Sequence, residues 1–114
     1  MEDGVSAAER VANAGASAVL AFNDLMAVGL LDGLRRLGVR VPEDLSVTGF
    51  DDIPFAKYAT PALTTASVPH AEVGGQAWHR MSALLRGAAP DHDIAFQPRL
   101  EPRASTAAAP RSCG

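Results

Sequence analysis

The chain has 114 residues, of which 47% are hydrophobic and 20% charged, and it carries a formal net charge of −3. That length suits one modest domain with enough apolar content for a core, while the acidic balance argues against gripping a phosphate backbone alone. The single cysteine, Cys113, gives no internal disulfide and no metal cluster. No basic-then-apolar leader opens the sequence, and no apolar run approaches the ~20 residues needed to span a bilayer. The expected compartment is therefore the cytoplasm, with no membrane partner.

Met1 to Ala14 reads as a helix, with Val5, Ala8 and Val11 recurring at steps of three, acidic residues at its start and Gly15 at its end. Ala18 to Phe22 is a short continuous apolar run, the pattern of a strand buried on both faces. Asn23 and Asp24 stop it. Met26, Leu30, Leu34 and Leu37 then mark one face of a helix. Asp24 stands where an N-cap belongs, Gly38 where a left-handed C′ residue belongs, and Pro42 closes the segment. Ser46 to Phe50 is a second strand, ended by Asp51 and Asp52. Strand, helix and strand make a βαβ unit, which builds parallel sheets. The expected fold class is α/β, with a partial parallel sheet.

In such a sheet the C-terminal strand ends share one edge, and open α/β sheets bind ligands in the crevice there. Asn23 and Asp51 each follow a strand directly. An amide beside a carboxylate suits a ligand with several hydroxyl groups. The plainer alternative is a turn with a helix cap at Asn23 and Asp24, and a solvated loop start at Asp51 and Asp52.

Beyond the second strand, Ile53 to Pro61 reads as a loop holding Phe55 and Tyr58. Leu63 to Val68 is a threonine-rich strand candidate, interrupted by Pro69. A helix follows from Ala71, with Val73, Ala77, Trp78, Met81, Leu84 and Leu85 on one stripe, and Gly87 and Pro90 ending it. Trp78 is expected in a core. Ile94 to Leu100 is a last strand, weakened by Pro98 and Pro102. The domain is placed at residues 1–103, and residues 104–114, small and polar with a proline, are expected to be disordered. Arg35, Arg36 and Arg40 sit near a helix end, where cations complement the dipole, and read as solvated surface.

Several chemistries lack their motifs. There is no Walker loop, no GxGxxG after a strand and no GxSxG elbow. His70, His79 and His92 share no ligand spacing with one another or with Cys113. Asp51 and Asp52 could hold Mg²⁺ through carboxylate oxygens, but no third acid stands at another strand end, so no metal and no cofactor are expected. No nucleophile with an oriented base is identifiable, and the chain is not expected to be an enzyme.

The run AFNDLMAVGLLDGLRRLGVRVPEDLSVTGFDDIPFAKYATPALTT resembles the LacI/GalR family of bacterial transcription regulators. The pattern NDxMAxGxLxxLRxxGxxVPxDxSVxGFDD, followed by a tyrosine, TP and LTT, is matched in order, and the resemblance continues more weakly through PRLEPRAST. It implies the C-terminal part of a periplasmic-binding-protein-like sensor fold, truncated. In that family the asparagine of the ND pair and the first aspartate of FDD hydrogen-bond a small effector, usually a sugar or nucleoside-like molecule. Those positions are Asn23 and Asp51. A polar residue often stands shortly after LTT, at the hinge beside the effector, and Val68 occupies that place here. The resemblance also implies a homodimer through Leu25, Val28, Phe55 and Tyr58. The apolar second stripe of that helix (Leu25, Val28, Leu31) agrees with this, as it would with burial on both sides. Operator DNA would be met only through an N-terminal helix-turn-helix head absent from this sequence. The strand at Val68 would cross to a first lobe that is likewise absent, leaving the Trp78 stripe to self-association. The alternative class is a stand-alone carbohydrate-binding or interaction module that never meets DNA.

Overall fold

The computed structural model describes residues 1–89 and 92–111. Its elements, in chain order, are α1 (Glu2–Asn13), β1 (Ala18–Leu20), α2 (Asp24–Arg36), β2 (Ser46–Thr48), a 3-10 turn (Pro54–Lys57), β3 (Thr65–Ser67), α3 (His70–Leu85) and β4 (Arg99–Glu101). The chain divides into two compact units, one of Met1–Ser67 with the segment from Leu100 onward, the other Val68–Arg99.

In the first unit β1 and β2 run parallel, with Ala18 opposite Ser46 and Leu20 opposite Thr48. Parallel bridges from Thr48 to Thr64 and from Asp51 to Ser67 extend the sheet to β3 in a constant register, and β4 lies beside β3. The expected βαβ unit is therefore present, with its two strands as direct neighbours. Val47 at the centre of β2 is fully buried with Leu63, Leu34, Ala27 and Ala56, and Ala8, Leu30, Leu31 and Leu45 complete the core.

α2 ends as its sequence requires. Gly38 takes φ +75°, a left-handed conformation that costs glycine nothing. Its amide bonds to Arg35 O, and that of Val39 reaches back to Leu34 O, the paired bonds of a Schellman motif. α1 packs on α2 through small residues. A Cβ built on Gly33 would lie 2.5 Å from Ala8 Cβ and 3.0 Å from Val5 O, so this approach exists only because position 33 has no side chain.

Three expectations need correction. β1 is not buried on both faces. Val19 and Ala21 pack against the core, whereas Leu20 and Phe22 are each 81% exposed, because nothing in this unit covers their face. The packing of the first unit does not stop at residue 103. Ser105 is fully buried; its hydroxyl donates to Val47 O and accepts from Thr64 N at 2.8 Å, and Val47 N donates to Ser105 O. It fills the gap between β2 and residue 64 with hydrogen bonds that a small polar side chain can make in a core. Residues 112–114 of the expected tail lie outside the described residues.

The second unit also departs from expectation. α3 forms one residue earlier than expected and is stopped after Leu85 by Gly87, φ +86°, again with a Schellman pair, Gly87 N to Leu84 O and Ala88 N to Ala83 O. Pro90, the other expected stop, lies outside the described residues. Trp78 is not in a core. It is 70% exposed and no residue of α3 is buried, because this unit offers the apolar stripe no opposing surface.

Two glycine-to-alanine changes should move stability in opposite directions. Gly33→Ala gains up to about 1 kcal/mol of helix propensity but overpacks the α1–α2 contact at a cost of roughly 1–3 kcal/mol, so a net loss is expected. Gly75→Ala, where a Cβ meets nothing within 4 Å, should gain about 0.5–1 kcal/mol. Thermal and denaturant unfolding followed by circular dichroism would read both signs.

Candidate functional site

The strand ends are fastened by one residue. Asp24 is fully buried. Its amide donates to Phe50 O at 3.0 Å. Its carboxylate accepts from Ile53 N at 2.8 Å and from Thr65 Oγ1 at 2.6 Å. One aspartate thus ties the end of β1 to the end of β2, to the loop after it and to β3. Gly49 makes room for it, since a Cβ there would stand 2.1 Å from Asp24 Oδ1.

Asp24 is therefore not the helix cap expected from the pattern. The cap is Asn23, whose backbone is extended at φ −152° and whose Oδ1 accepts from Met26 N at 2.9 Å. The extended geometry turns the Asn23 side chain back over the first helical turn. Asp24, already helical and held through its own amide, is turned inward instead.

Asn23 precedes the donor and Asp51 follows the acceptor of the Asp24–Phe50 bond, so the two expected rim residues are brought to the same end of adjacent parallel strands. Both are half-buried. With Asn23 Oδ1 engaged as the cap, its amide nitrogen remains as the donor, beside a carboxylate that accepts. Asp51 and Asp52 have φ +113° and +58°, left-handed conformations that cost a residue with a Cβ about 1–3 kcal/mol each. They are held in place by neighbours. Asp51 N donates to Ala66 O at 2.9 Å, and Asp52 pairs with Arg103 at 2.8 Å, both side chains under one-fifth exposed. Arg103 also donates through its guanidinium to Leu63 O and through its backbone to Thr64 Oγ1. The pattern reading missed Thr65, Gly49, Arg103 and Ser105 as parts of this arrangement. All but Gly49 lie far along the chain from Asn23, and only the PRLEPRAST resemblance marked Arg103 and Ser105 at all.

The second group of expected residues also converges. Leu25, Val28, Phe55 and Tyr58, with Met1, Ile53 and Ala59, line an apolar groove of about 290 Å³. Phe55 is 70% and Tyr58 80% exposed. Among the described residues no group of three or more histidine, cysteine, aspartate or glutamate side chains could hold a metal ion.

The arginines near the end of α2 lie on the surface, as read from the sequence. Arg35 and Arg36 both pair with Asp32, and Arg40 pairs with Asp44. The hydrogen bond from Arg35 holds the Asp32 carboxyl below its usual value, and that from Arg40 does the same for Asp44. Such depressed groups favour the folded state at neutral pH and lose that contribution as pH falls through the folded-state value. These pairs are solvent-screened, so their contribution is small.

A parallel sheet that brings a donor and an acceptor to one rim, backed by a helix pair, is the architecture of a ligand-binding α/β lobe. The chain belongs to the periplasmic binding protein-like domain family, which residues 1–106 match. Within it the chain corresponds to the C-terminal part of the sensor domain of LacI-family transcriptional regulators. It is 37% identical, over its whole length and 33% of the relative's, to the HTH-type transcriptional regulator MalR of Streptomyces coelicolor. Transcription regulator CcpA of Lactococcus lactis superposes with a TM-score of 0.88 at 29% identity, over 93% of this chain and 40% of that one. A LacI family regulator from Arthrobacter, solved in complex with lactose, gives 0.81 at 37% identity, over 93% and 41%. The chain thus spans about a third of the length of the curated relative it matches throughout.

The Asp24 knot is testable by stability. Asp24→Asn can still accept from Ile53 N while donating to Thr65 Oγ1, so a loss of about 1 kcal/mol is expected. Asp24→Ala leaves the Ile53 amide without its acceptor and should lose roughly 1–3 kcal/mol more. Denaturant melts of both variants would rank them.

Proposed function

We propose that this chain senses a small polyhydroxylated effector, a sugar, as part of a transcriptional regulator. Asn23 and Asp51 bind that effector. The observation that carries this is their position on either side of the hydrogen bond from Asp24 N to Phe50 O, past the C-terminal ends of β1 and β2. Asn23 Nδ2 donates to, and the Asp51 carboxylate accepts from, neighbouring hydroxyls of the same ring. The lactose in the Arthrobacter relative supports the ligand class. Operator binding belongs to a helix-turn-helix head of the kind that MalR's name records, and the arginine–aspartate pairs here leave that task elsewhere. No chemistry is catalysed. The setting is cytoplasmic, and no helix among the described residues is long and apolar enough to cross a membrane.

The groove formed by Leu25, Val28, Phe55 and Tyr58 takes a second copy of the chain. The exposure of Phe55 and Tyr58 around one apolar depression supports this, since exposed apolar patches of this kind mark interaction surfaces.

For the effector, a calorimetric and NMR screen of mono- and disaccharides, lactose included, should find a ligand whose affinity falls about tenfold or more in Asp51→Asn and in Asn23→Asp. Asn23→Asp is the informative change because it keeps a cap oxygen while replacing the donor with a charged acceptor. Equal binding by wild type and both variants would mean that the rim is misassigned. For the groove, sedimentation velocity should show wild-type chain dimerising and Tyr58→Asp monomeric at the same concentration. A wild-type monomer would remove the dimer.

A further inference from the structure

Three consecutive residues at the end of β2 are each held by a different part of the first unit. The Asp51 amide bonds to Ala66 O at the centre of β3, the Asp52 carboxylate pairs with Arg103 from the C-terminal segment, and the Ile53 amide bonds to the buried carboxylate of Asp24 on α2. The first two carry positive φ, a conformation that persists only where surrounding structure imposes it. Of these three holds, the Asp52–Arg103 pair is the one made wholly by side chains. Arg103 is itself fixed on two further sides, by Leu63 O at 3.0 Å and, through its backbone, by Thr64 Oγ1 at 2.9 Å. It is therefore a rigid anchor, and its contact with Asp52 is a close charge pair in which Oδ1 makes no hydrogen bond.

We propose that Arg103 is a positioning residue for Asp51: by pairing with Asp52 it locks the left-handed Asp51–Asp52 step and so aims the Asp51 carboxylate at the sheet rim. Its consequence for ligand binding rests on the reading of Asp51 as an effector ligand; the locking itself does not. Arg103 contacts no ligand in this arrangement. Without its partner, the Asp52 carboxylate is drawn toward water, the two positive φ angles relax, and the Asp51 amide separates from Ala66 O.

The test uses the full chain with Arg103→Met and Arg103→Lys, read by amide hydrogen exchange, by the Asp51 HN–Hα coupling that reports φ, and by NMR titration with lactose. In Arg103→Met the Asp51 amide is expected to exchange roughly tenfold faster, with a changed coupling, while the Ala27 amide, bonded to Asn23 O inside α2, stays within about twofold. Arg103→Lys, which restores charge without the planar fork, should recover only part of the protection. Lactose affinity, where wild type binds, should fall in Arg103→Met by a factor close to that of Asp51→Asn. If Asp51 exchange and coupling are unchanged in Arg103→Met, or if Ala27 loses protection equally, the positioning role is wrong and Arg103 is a general structural tie. If Asp51 loosens selectively but no chain binds lactose or the other sugars, the lock stands and the effector reading falls.

Discussion

A carboxylate sealed from water must find its donors inside the protein, and Asp24 finds them on two segments far from it in sequence. Its acceptors satisfy Ile53 N and Thr65 Oγ1, and its own amide is spent on Phe50 O. Uncompensated burial of such a group would cost several kcal/mol, so the ends of β1, β2 and β3 cannot drift apart while Asp24 stays where it is. The short strands, three residues each, offer few ladder bonds of their own. The register of the rim is set less by the ladder than by this one side chain, and by the absence of a side chain at Gly49 that lets it in.

The same logic explains where the first unit is sound and where it is bare. The α1–α2 contact and the inner face of the sheet share one buried cluster of leucines, valine and alanines. The outer face holds Leu20 and Phe22, which this unit leaves largely uncovered. In α3 of the second unit, Trp78 and Leu85 stand equally open. Apolar side chains of this size are seldom left in water without a counterpart. The family relatives are about three times as long as this chain, and a doubly wound sheet carries helices on both faces.

What could be read in advance follows from which forces are local. The helices, the βαβ order, and Gly38 and Gly87 as helix stops rest on periodicity and on φ preferences within a few residues, and they were legible. So was the location of Asn23 and Asp51 at one end of neighbouring strands, because parallel strands joined by a helix leave little choice of edge. The N-cap was misread by one position. Both Asn23 and Asp24 are competent caps, and the choice was made by Ile53 and Thr65, which no local window contains. Burial of Phe22 and Trp78 was misread for the opposite reason. Their hydrophobicity is local information, but the surface that would cover them is not. Ser105 was misread because its composition resembles a loose tail, whereas its hydroxyl completes the hydrogen bonding of Val47 and Thr64.

The rim shows a division of labour that composition alone would not suggest. Asn23 spends its oxygen on the fold and keeps its nitrogen. In the DD pair, Asp52 is the member paired with Arg103, and Asp51 is the one whose proposed role is to meet the effector. Two adjacent left-handed aspartates would be an expensive way merely to end a strand, since a glycine would do so without strain. The cost is intelligible if the end must also carry a carboxylate at a fixed angle, because glycine carries none. Aspartate tolerates positive φ better than most residues with a Cβ, and it is the shorter of the two acidic side chains, so its oxygens follow the backbone closely. A strained, externally braced aspartate at a sheet edge is thus what a proposed sensor would need in order to turn backbone geometry into ligand geometry. The bracing from the opposite end of the sequence makes that geometry a property of the folded unit and not of the loop.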